Sequence, residues 1–188
     1  MIKIGITGSL ASGKTTASKI LSFRRGPLFS ADKAVKELYK NKHFRSLVSR
    51  RFRIKNNSQL KKSLKKLILE NKDNIKKLEK IIHPLVRKKM KALIRLKKNR
   101  KIIIFDIPLL IESKLMKYFN VIVFVGAKRK VRLKRYLYKG GSREIFTILD
   151  KRQITPGKKI KISDHVIYNN SSIKILKNKV KFLMKNYE

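Results

Sequence analysis

The hydrophobic residues of this 188-residue chain fall into short continuous runs, which are separated by longer amphipathic segments. Continuous runs of β-branched and aromatic residues are typical of parallel strands that are covered on both faces. We therefore predict five strands, at residues 2–7, 28–30, 102–106, 121–125 and 165–168. The run at 28–30 is the shortest and weakest of them.

The segments between these strands carry apolar residues three and four positions apart, which predicts amphipathic helices. Helices are expected over 15–23, from 33 onward, around 60–68, around 75–82 and from 173 to about 183. Pro84 is expected in the first turn of a further helix that runs to about Lys98. Strands that alternate with helices indicate an α/β fold, in which a parallel sheet is covered on both sides as a three-layer structure.

Two segments interrupt this alternation. Residues 32–99 contain only helical patterns and are too long for one crossover, so we predict a helical insertion there. Residues 128–153 are very basic and are broken at Gly140-Gly141, which predicts a short second excursion. The remaining segments, 1–31, 100–127 and 154–188, would form the core domain.

The first predicted strand is followed by Gly-Ser-Leu-Ala-Ser-Gly-Lys-Thr at residues 8–15, the spacing of a Walker A phosphate-binding loop (P-loop). Its glycines let the backbone curl so that N–H groups converge on a phosphate, and the following helix adds its N-terminal dipole. Lys14 would place a positive charge on the β- and γ-phosphates, and the Thr15 hydroxyl would ligate Mg²⁺. The loop therefore predicts binding of ATP and Mg²⁺, through Gly8, Ala11, Ser12, Gly13, Lys14, Thr15 and Thr16.

A P-loop alone does not distinguish a kinase from other nucleotide-binding proteins. The chain has no Asn/Thr-Lys-x-Asp element, which disfavours a GTPase, and it is too short for a helicase motor. A small P-loop protein with a helical insertion and a basic excursion is typical of kinases that act on small molecules. In such kinases the basic excursion is a lid that closes over the phosphates and excludes water.

The composition adds a strong positive charge: 51 Lys and Arg against 11 Asp and Glu give a net charge of +40. Such a field attracts polyanions, including RNA. The lysines are spread through every segment rather than gathered in one stripe, so we predict only non-specific contact with nucleic acid. An RNA-associated ATP-binding protein without enzymatic activity is kept as an alternative.

Other features of the composition narrow the class of protein. The chain contains no cysteine, which excludes disulfides and thiolate zinc sites. The pattern of a secretory leader is not seen, and the longest apolar run is about half a membrane span. We therefore expect a cytoplasmic protein without a membrane partner. The pattern does not indicate an oligomeric state.

Five motifs, in order along the chain, resemble those of dephospho-coenzyme A kinases. They are the P-loop with its preceding strand, Ser-Ala-Asp-Lys at 30–33, Leu-Glu-Lys-Ile-Ile-His-Pro at 78–84, Asp-Ile-Pro-Leu-Leu-Ile-Glu at 106–112 and Ser-Asp-His-Val-Ile-Tyr-Asn at 163–169. The resemblance extends to about Asn170, and the motif at 106–112 is the most specific. It implies transfer of a phosphoryl group from ATP to the 3′-hydroxyl of dephospho-CoA, the last step of coenzyme A biosynthesis. Another small P-loop kinase, of nucleotide or shikimate type, is the alternative enzyme.

The resemblance also implies roles for residues on the acceptor side. Asp32 would accept or orient the proton of the attacking hydroxyl, although an Asp here could instead be the N-cap of the next helix. His83 would form a hydrogen bond with the acceptor nucleotide, or cap a helix. Asp106 ends the strongest apolar strand, where a Walker B carboxylate binds Mg²⁺; the alternative is a cap of the next turn. Pro108 and Leu109 would line the acceptor pocket.

The basic excursion contains candidate lid residues. Arg132, Arg135 and Lys139 lie on one face of a predicted helix, which could also be a solvated basic face. The resemblance favours Arg135 as the residue that clamps the transferring phosphoryl group. Gln153 and Asn169 match family positions without an evident role. Lys61 and Lys139 stand where the family usually has Arg, and Lys lacks the bidentate fork of Arg.

Overall fold

The computed structural model describes residues 1–71 and 73–187. These residues divide into two compact units. One unit is formed by Met1–Ser30 together with the chain from Lys97 onward, and the other by Ala31–Leu96.

The first unit is built on a parallel five-stranded sheet, as predicted. Its strands are β1 (Ile2–Gly8), β2 (Leu28–Ser30), β3 (Ile102–Asp106), β4 (Val121–Gly126) and β5 (His165–Tyr168), in the order β2-β3-β1-β4-β5. All residues of β3 and β4 are buried, which explains their unbroken apolar sequences. Strand β1 lies at the centre of the sheet. The loop that follows Gly8, its last residue, therefore begins between the ends of β3 and β4.

The helices of the described residues cover both units. They are α1 (Lys14–Ser22), α2 (Ala31–Leu38), α3 (Lys42–Phe52), α4 (Leu60–Glu70), α5 (Asp73–Leu96), α6 (Arg129–Tyr138), α7 (Arg143–Arg152), α8 (Pro156–Ile162) and α9 (Ile173–Met184), with a short 3₁₀ turn at Met116–Tyr118. In the part of the chain described above, no helix combines the length and the apolar character needed to cross a bilayer.

The main core of the first unit lies between the sheet and helices α1 and α9. Ile4 and Ile6 of β1 pack there against Leu21 of α1 and Val180 of α9, and all four are fully buried. Burying a side chain of this size contributes about 1.5–3 kcal/mol, so this face holds the central strand firmly in place. On the opposite face Gly5 is covered tightly, because an added Cβ would lie 2.6 Å from the Leu110 side chain.

The helical unit has its own core, formed by Leu38, Phe44, Val48 and Leu64. Residues of α5 on both sides of Pro84 pack against this cluster, among them Ile82 and Leu85. The prediction that Pro84 begins a helix is therefore wrong, since Pro84 lies inside the 24-residue helix α5. The apolar stripe continues through the proline, and its burial offsets the missing backbone hydrogen bond.

Candidate functional site

The phosphate-binding loop occupies residues 9–13, between the end of β1 and the start of α1. Two positions require glycine, one at the end of β1 and one in the loop itself. A Cβ on Gly8 would lie 2.4 Å from the Val125 carbonyl oxygen, and Gly13 has a φ of 90° with the Asn169 amide 2.2 Å from where its Cβ would be. Ala11 also adopts a left-handed backbone, with a φ of 57°. The loop is therefore tightly curled at the N-terminus of α1, as phosphate binding requires.

Lys14 and Asp106 form a buried ion pair beneath this loop. Lys14 is 8% exposed and Asp106 is 1% exposed, and the Lys14 ammonium donates to Asp106 Oδ1. Asp106 is the last residue of β3 and lies opposite Ile6 of β1 in the sheet register. Lys14 is the first residue of α1, which follows β1 and the P-loop, and its side chain reaches Asp106 from there. The carboxylate thus binds Lys14, and the alternative role as a cap of the next turn receives no support from its contacts.

Two buried polar atoms beside this pair have no hydrogen-bond partner within the described residues. They are Asp106 Oδ2 and Ser12 Oγ. A buried polar atom without a partner costs about 1–3 kcal/mol, and such atoms in a native protein usually face a ligand, an ion or water. Thr15 and Thr16, in the first turn of α1, are exposed and so accessible to a ligand.

The loop that follows β3 is attached to the end of β1. The Ile107 N–H donates to the Ile6 carbonyl at 3.0 Å, and the Thr7 hydroxyl donates to the Pro108 carbonyl at 3.2 Å. Pro108 and Leu109 are partly exposed, whereas Leu110 is fully buried. Of this apolar run, Pro108 and Leu109 are therefore the residues available to a ligand.

Arg132 and Arg135 of α6 both reach the P-loop backbone. The Arg132 guanidinium binds both Asp150 carboxylate oxygens, at 2.5 and 3.2 Å, and donates to the Leu10 carbonyl at 3.3 Å. Arg132 is only 5% exposed, so the interpretation of a solvated basic face is wrong for this residue.

Arg135 donates to the carbonyls of Ser12 at 3.3 Å and Asn169 at 2.9 Å. Lys139 is the exposed residue that follows α6.

Gln153 and Asn169, for which the sequence indicated no role, also bind the P-loop backbone. Gln153 Oε1 accepts a hydrogen bond from the Leu10 N–H at 3.0 Å. Asn169 Nδ2 donates to the Ser12 carbonyl at 2.9 Å. These hydrogen bonds could not be predicted from the sequence, because each joins residues that are far apart in the chain. The match of both residues to family positions was the one signal for them.

Asp32 and His83 belong to the helical unit, and neither is a helix cap. Helix α2 begins at Ala31, so the exposed Asp32 lies within its first turn rather than before it. His83 lies in the interior of α5. The alternative roles as an N-cap and as a helix cap are therefore wrong. Lys61 lies over the Tyr39 ring, with its ammonium 4.9 Å from the ring centroid.

Burial lowers the pKa of His83 below 6.5, Arg87 lowers it further, and Glu79 opposes both. His83 is therefore neutral at pH 7, with one ring nitrogen as donor and the other as acceptor. Such a side chain suits hydrogen bonding to a neutral polar group on a ligand.

The depressed pKa of His83 predicts a specific loss of stability in acid. The unfolded chain binds the His83 proton more readily than the folded protein does, so stability is lost as the pH falls from about 6.5 towards the folded pKa. We expect His83→Gln to remove this part of the pH dependence. Urea unfolding at pH 7.5 and 5.5 measures the difference, with exposed His43→Gln as the control. Equal pH dependence in wild type and His83→Gln would contradict the prediction.

Comparison with known proteins gives a consistent result across sequence and structure. A family model described as dephospho-CoA kinase matches residues 2–174. A dephospho-CoA kinase of Fusobacterium nucleatum is 37% identical over 182 residues, which cover 94% of each chain. The structure of TT1252 from Thermus thermophilus has a TM-score of 0.81 at 26% identity, covering 100% of this chain and 98% of the other. Dephospho-CoA kinase from Campylobacter jejuni has a TM-score of 0.68 at 25% identity, covering 98% and 96%.

Proposed function

This chain belongs to the dephospho-CoA kinase family, and we propose on that basis that it transfers the γ-phosphoryl group of ATP to the 3′-hydroxyl of dephospho-CoA. The observation that carries the proposal is the match of the dephospho-CoA kinase family model to residues 2–174. The curled P-loop and the buried pair of Lys14 and Asp106 fit that reaction. This arrangement supplies positive charge and backbone N–H groups where phosphoryl transfer needs them. In such a reaction the protein contributes positioning and electrostatic stabilisation rather than covalent chemistry.

ATP would bind with its phosphates in the P-loop. Backbone N–H groups of the loop and of the first turn of α1 would donate to the phosphate oxygens, and the helix dipole would add to this attraction. Lys14 would bind the β- and γ-phosphates and neutralise the charge that spreads over the transferring group. The proposed ATP-binding residues are Gly8, Ala11, Ser12, Gly13, Lys14, Thr15 and Thr16.

The residues at the P-loop fit a Mg²⁺ ion. The free and buried Asp106 Oδ2 and the exposed Thr15 side chain offer the oxygen ligands that Mg²⁺ prefers. No cluster of three or more His, Asp or Glu that could hold a metal occurs in residues 1–71 and 73–187. Mg²⁺ is usually bound by one or two protein oxygens together with substrate phosphates and water. When bound, it would neutralise charge on the β- and γ-phosphate oxygens.

We propose that the helical insertion, residues 32–99, binds dephospho-CoA. Asp32 would accept a hydrogen bond from the 3′-hydroxyl and align it for attack. It follows β2, whose last residue, Ser30, is paired in register with Asp106, and ligands of parallel α/β sheets bind beyond the carboxyl ends of the strands. The resemblance to the family implies that neutral His83 hydrogen-bonds the acceptor nucleotide. It separately implies that Pro108 and Leu109 are acceptor-binding residues.

Residues 128–153 would act as the lid. Arg135 already contacts the P-loop, because its guanidinium donates a hydrogen bond to the Ser12 carbonyl. From there its guanidinium would stabilise the charge of the transferring phosphoryl group. A cytoplasmic location and purely non-specific contact with nucleic acid remain predictions from the sequence.

An acceptor panel tests the proposed function. ADP release is measured with ATP and Mg²⁺, and with dephospho-CoA, shikimate or a nucleoside monophosphate as sole acceptor. Turnover is expected with dephospho-CoA and not with the others, and a reaction without acceptor corrects for ATP hydrolysis. Turnover with shikimate or a nucleotide alone would favour the alternative kinase. Absence of turnover with any acceptor, together with steeply salt-dependent RNA binding, would favour the RNA-associated protein.

A further inference from the structure

The peptide groups of Leu10, at the outer corner of the P-loop, are held from outside the loop. Gln153 accepts a hydrogen bond from the Leu10 N–H at 3.0 Å, and Arg132 donates to the Leu10 carbonyl at 3.3 Å. The next residue, Ala11, has a φ of 57°, a left-handed conformation that is strained for a residue other than glycine. Such a conformation persists only where neighbouring contacts enforce it. The contacts of Leu10 are therefore in the right place to maintain the curl of the loop.

Gln153 is in turn fixed by the residue that follows it. The Ile154 N–H donates to Glu112 Oε1 at 3.1 Å. Glu112 lies in the segment after β3, beyond Asp106, Pro108 and Leu109. Two successive residues that directly follow α7 therefore bind the P-loop on one side and the loop after β3 on the other.

A fully buried lysine anchors this junction. Lys159 of α8 is 0% exposed, and its ammonium lies 2.6 Å from Glu112 Oε1. The pair is close but imperfectly satisfied, because the Lys159 ammonium has no well-oriented hydrogen bond and Glu112 Oε2 has no partner among the described residues. Replacing a buried ion pair with apolar residues is often neutral or stabilising, so this pair is better explained by positioning than by stability.

We propose that Lys159 and Gln153 are positioning residues for the P-loop. The Lys159–Glu112 ion pair holds the carboxylate that binds the Ile154 N–H, and Ile154 keeps Gln153 against Leu10. Loss of either side chain releases the outer corner of the loop and weakens binding of the ATP phosphates. The inference of a role in phosphoryl transfer rests on the proposed function, but the binding measurement below needs no acceptor.

The test measures the affinity for adenosine 5′-(β,γ-imido)triphosphate with Mg²⁺ by calorimetry. We expect Gln153→Leu to raise the Kd about tenfold, the usual effect of one lost hydrogen bond in a pre-organised site. The KM for dephospho-CoA should stay unchanged while the KM for ATP rises, a split that general loss of structure would not produce. Gln59→Leu, the same substitution at an exposed position, is the control.

A double-mutant cycle tests whether Lys159 acts through Gln153. Lys159→Met should raise the Kd for the ATP analogue about as much as Gln153→Leu does. The Kd of the double variant should be no higher than that of the single variant with the higher Kd, because both substitutions break the same chain of contacts. Lys158→Met, at the exposed neighbouring position, is the control. Additive losses would overturn the proposed coupling.

The test stays decisive if Lys159→Met does not fold. Gln153 is only partly buried, so Gln153→Leu tests the proposal alone, and a Kd within about twofold of wild type would overturn it. The proposed function fails separately. A wild-type protein that binds the analogue but releases no ADP with dephospho-CoA would overturn the function and leave the positioning of the P-loop standing.

Discussion

Replacing Lys14 with Met is expected to lower kcat by about a hundredfold or more, the usual loss when one electrostatic contact to the transition state is removed. Lys14 is the cation proposed to bind the β- and γ-phosphates. Met keeps most of its length without the charge. Steady-state kinetics with dephospho-CoA measure the effect. A folded variant that retains half of the wild-type rate would contradict the assignment of the P-loop lysine.

The same substitution should also destabilise the protein, because it leaves the Asp106 carboxylate buried without its partner. Breaking a buried ion pair from one side commonly costs about 3–5 kcal/mol. The double variant Lys14→Met/Asp106→Asn removes both charges and should recover most of that stability, but not the activity. Urea unfolding of both variants separates the two effects. Recovery of activity in the double variant would contradict the catalytic role of Lys14.

Replacing Asp32 with Asn is expected to lower kcat by about a hundredfold, the typical contribution of a positioned general base. Asp32 is exposed in the first turn of α2, so the loss of its interaction with the helix dipole should cost no more than about 1 kcal/mol. A large kinetic effect with little change in Tm would thus separate catalysis from stability.

A matched control for Asp32 is available in the same unit. Asp73 is also an exposed carboxylate in the first turn of a helix, and the hydrogen bond and charge of Lys76 lower its pKa. Asp73→Asn makes the same chemical change at an equivalent helical position and should leave kcat within about twofold of wild type. An equal decrease of kcat in the two variants would contradict the specific role of Asp32. It would show that kcat falls because the helical unit loses a negative charge, whichever carboxylate is replaced.

The strands and the P-loop could be predicted from the sequence because their signals are local. An unbroken apolar run such as that of β3 reports burial on both faces, and the glycine spacing at residues 8–13 reports the shape of the loop itself. Asp106 was found because it ends such a strand. In each case the residues that carry the information are adjacent in the chain.

The features that the sequence did not predict depend on contacts between distant segments. In a chain with 51 Lys and Arg, a basic residue is expected to be exposed to solvent. Arg132 and Lys159 are nevertheless buried, because they form ion pairs with Asp150 and Glu112. Helix α3 was missed because Phe44 and Val48 are its buried residues, too few for a clear apolar stripe. Pro84 was placed at a helix start because local preference was given more weight than the apolar pattern on both sides of it.

The order of strands in the sheet has a consequence for synthesis of the chain. Central strand β1 is made before its neighbours β3 and β4, which follow only after the whole of Ala31–Leu96. The helical unit is continuous in sequence and encloses its own core, so it can fold while β1 still lacks both partners. The P-loop therefore lacks the strands that support it until β3 and β4 have been made.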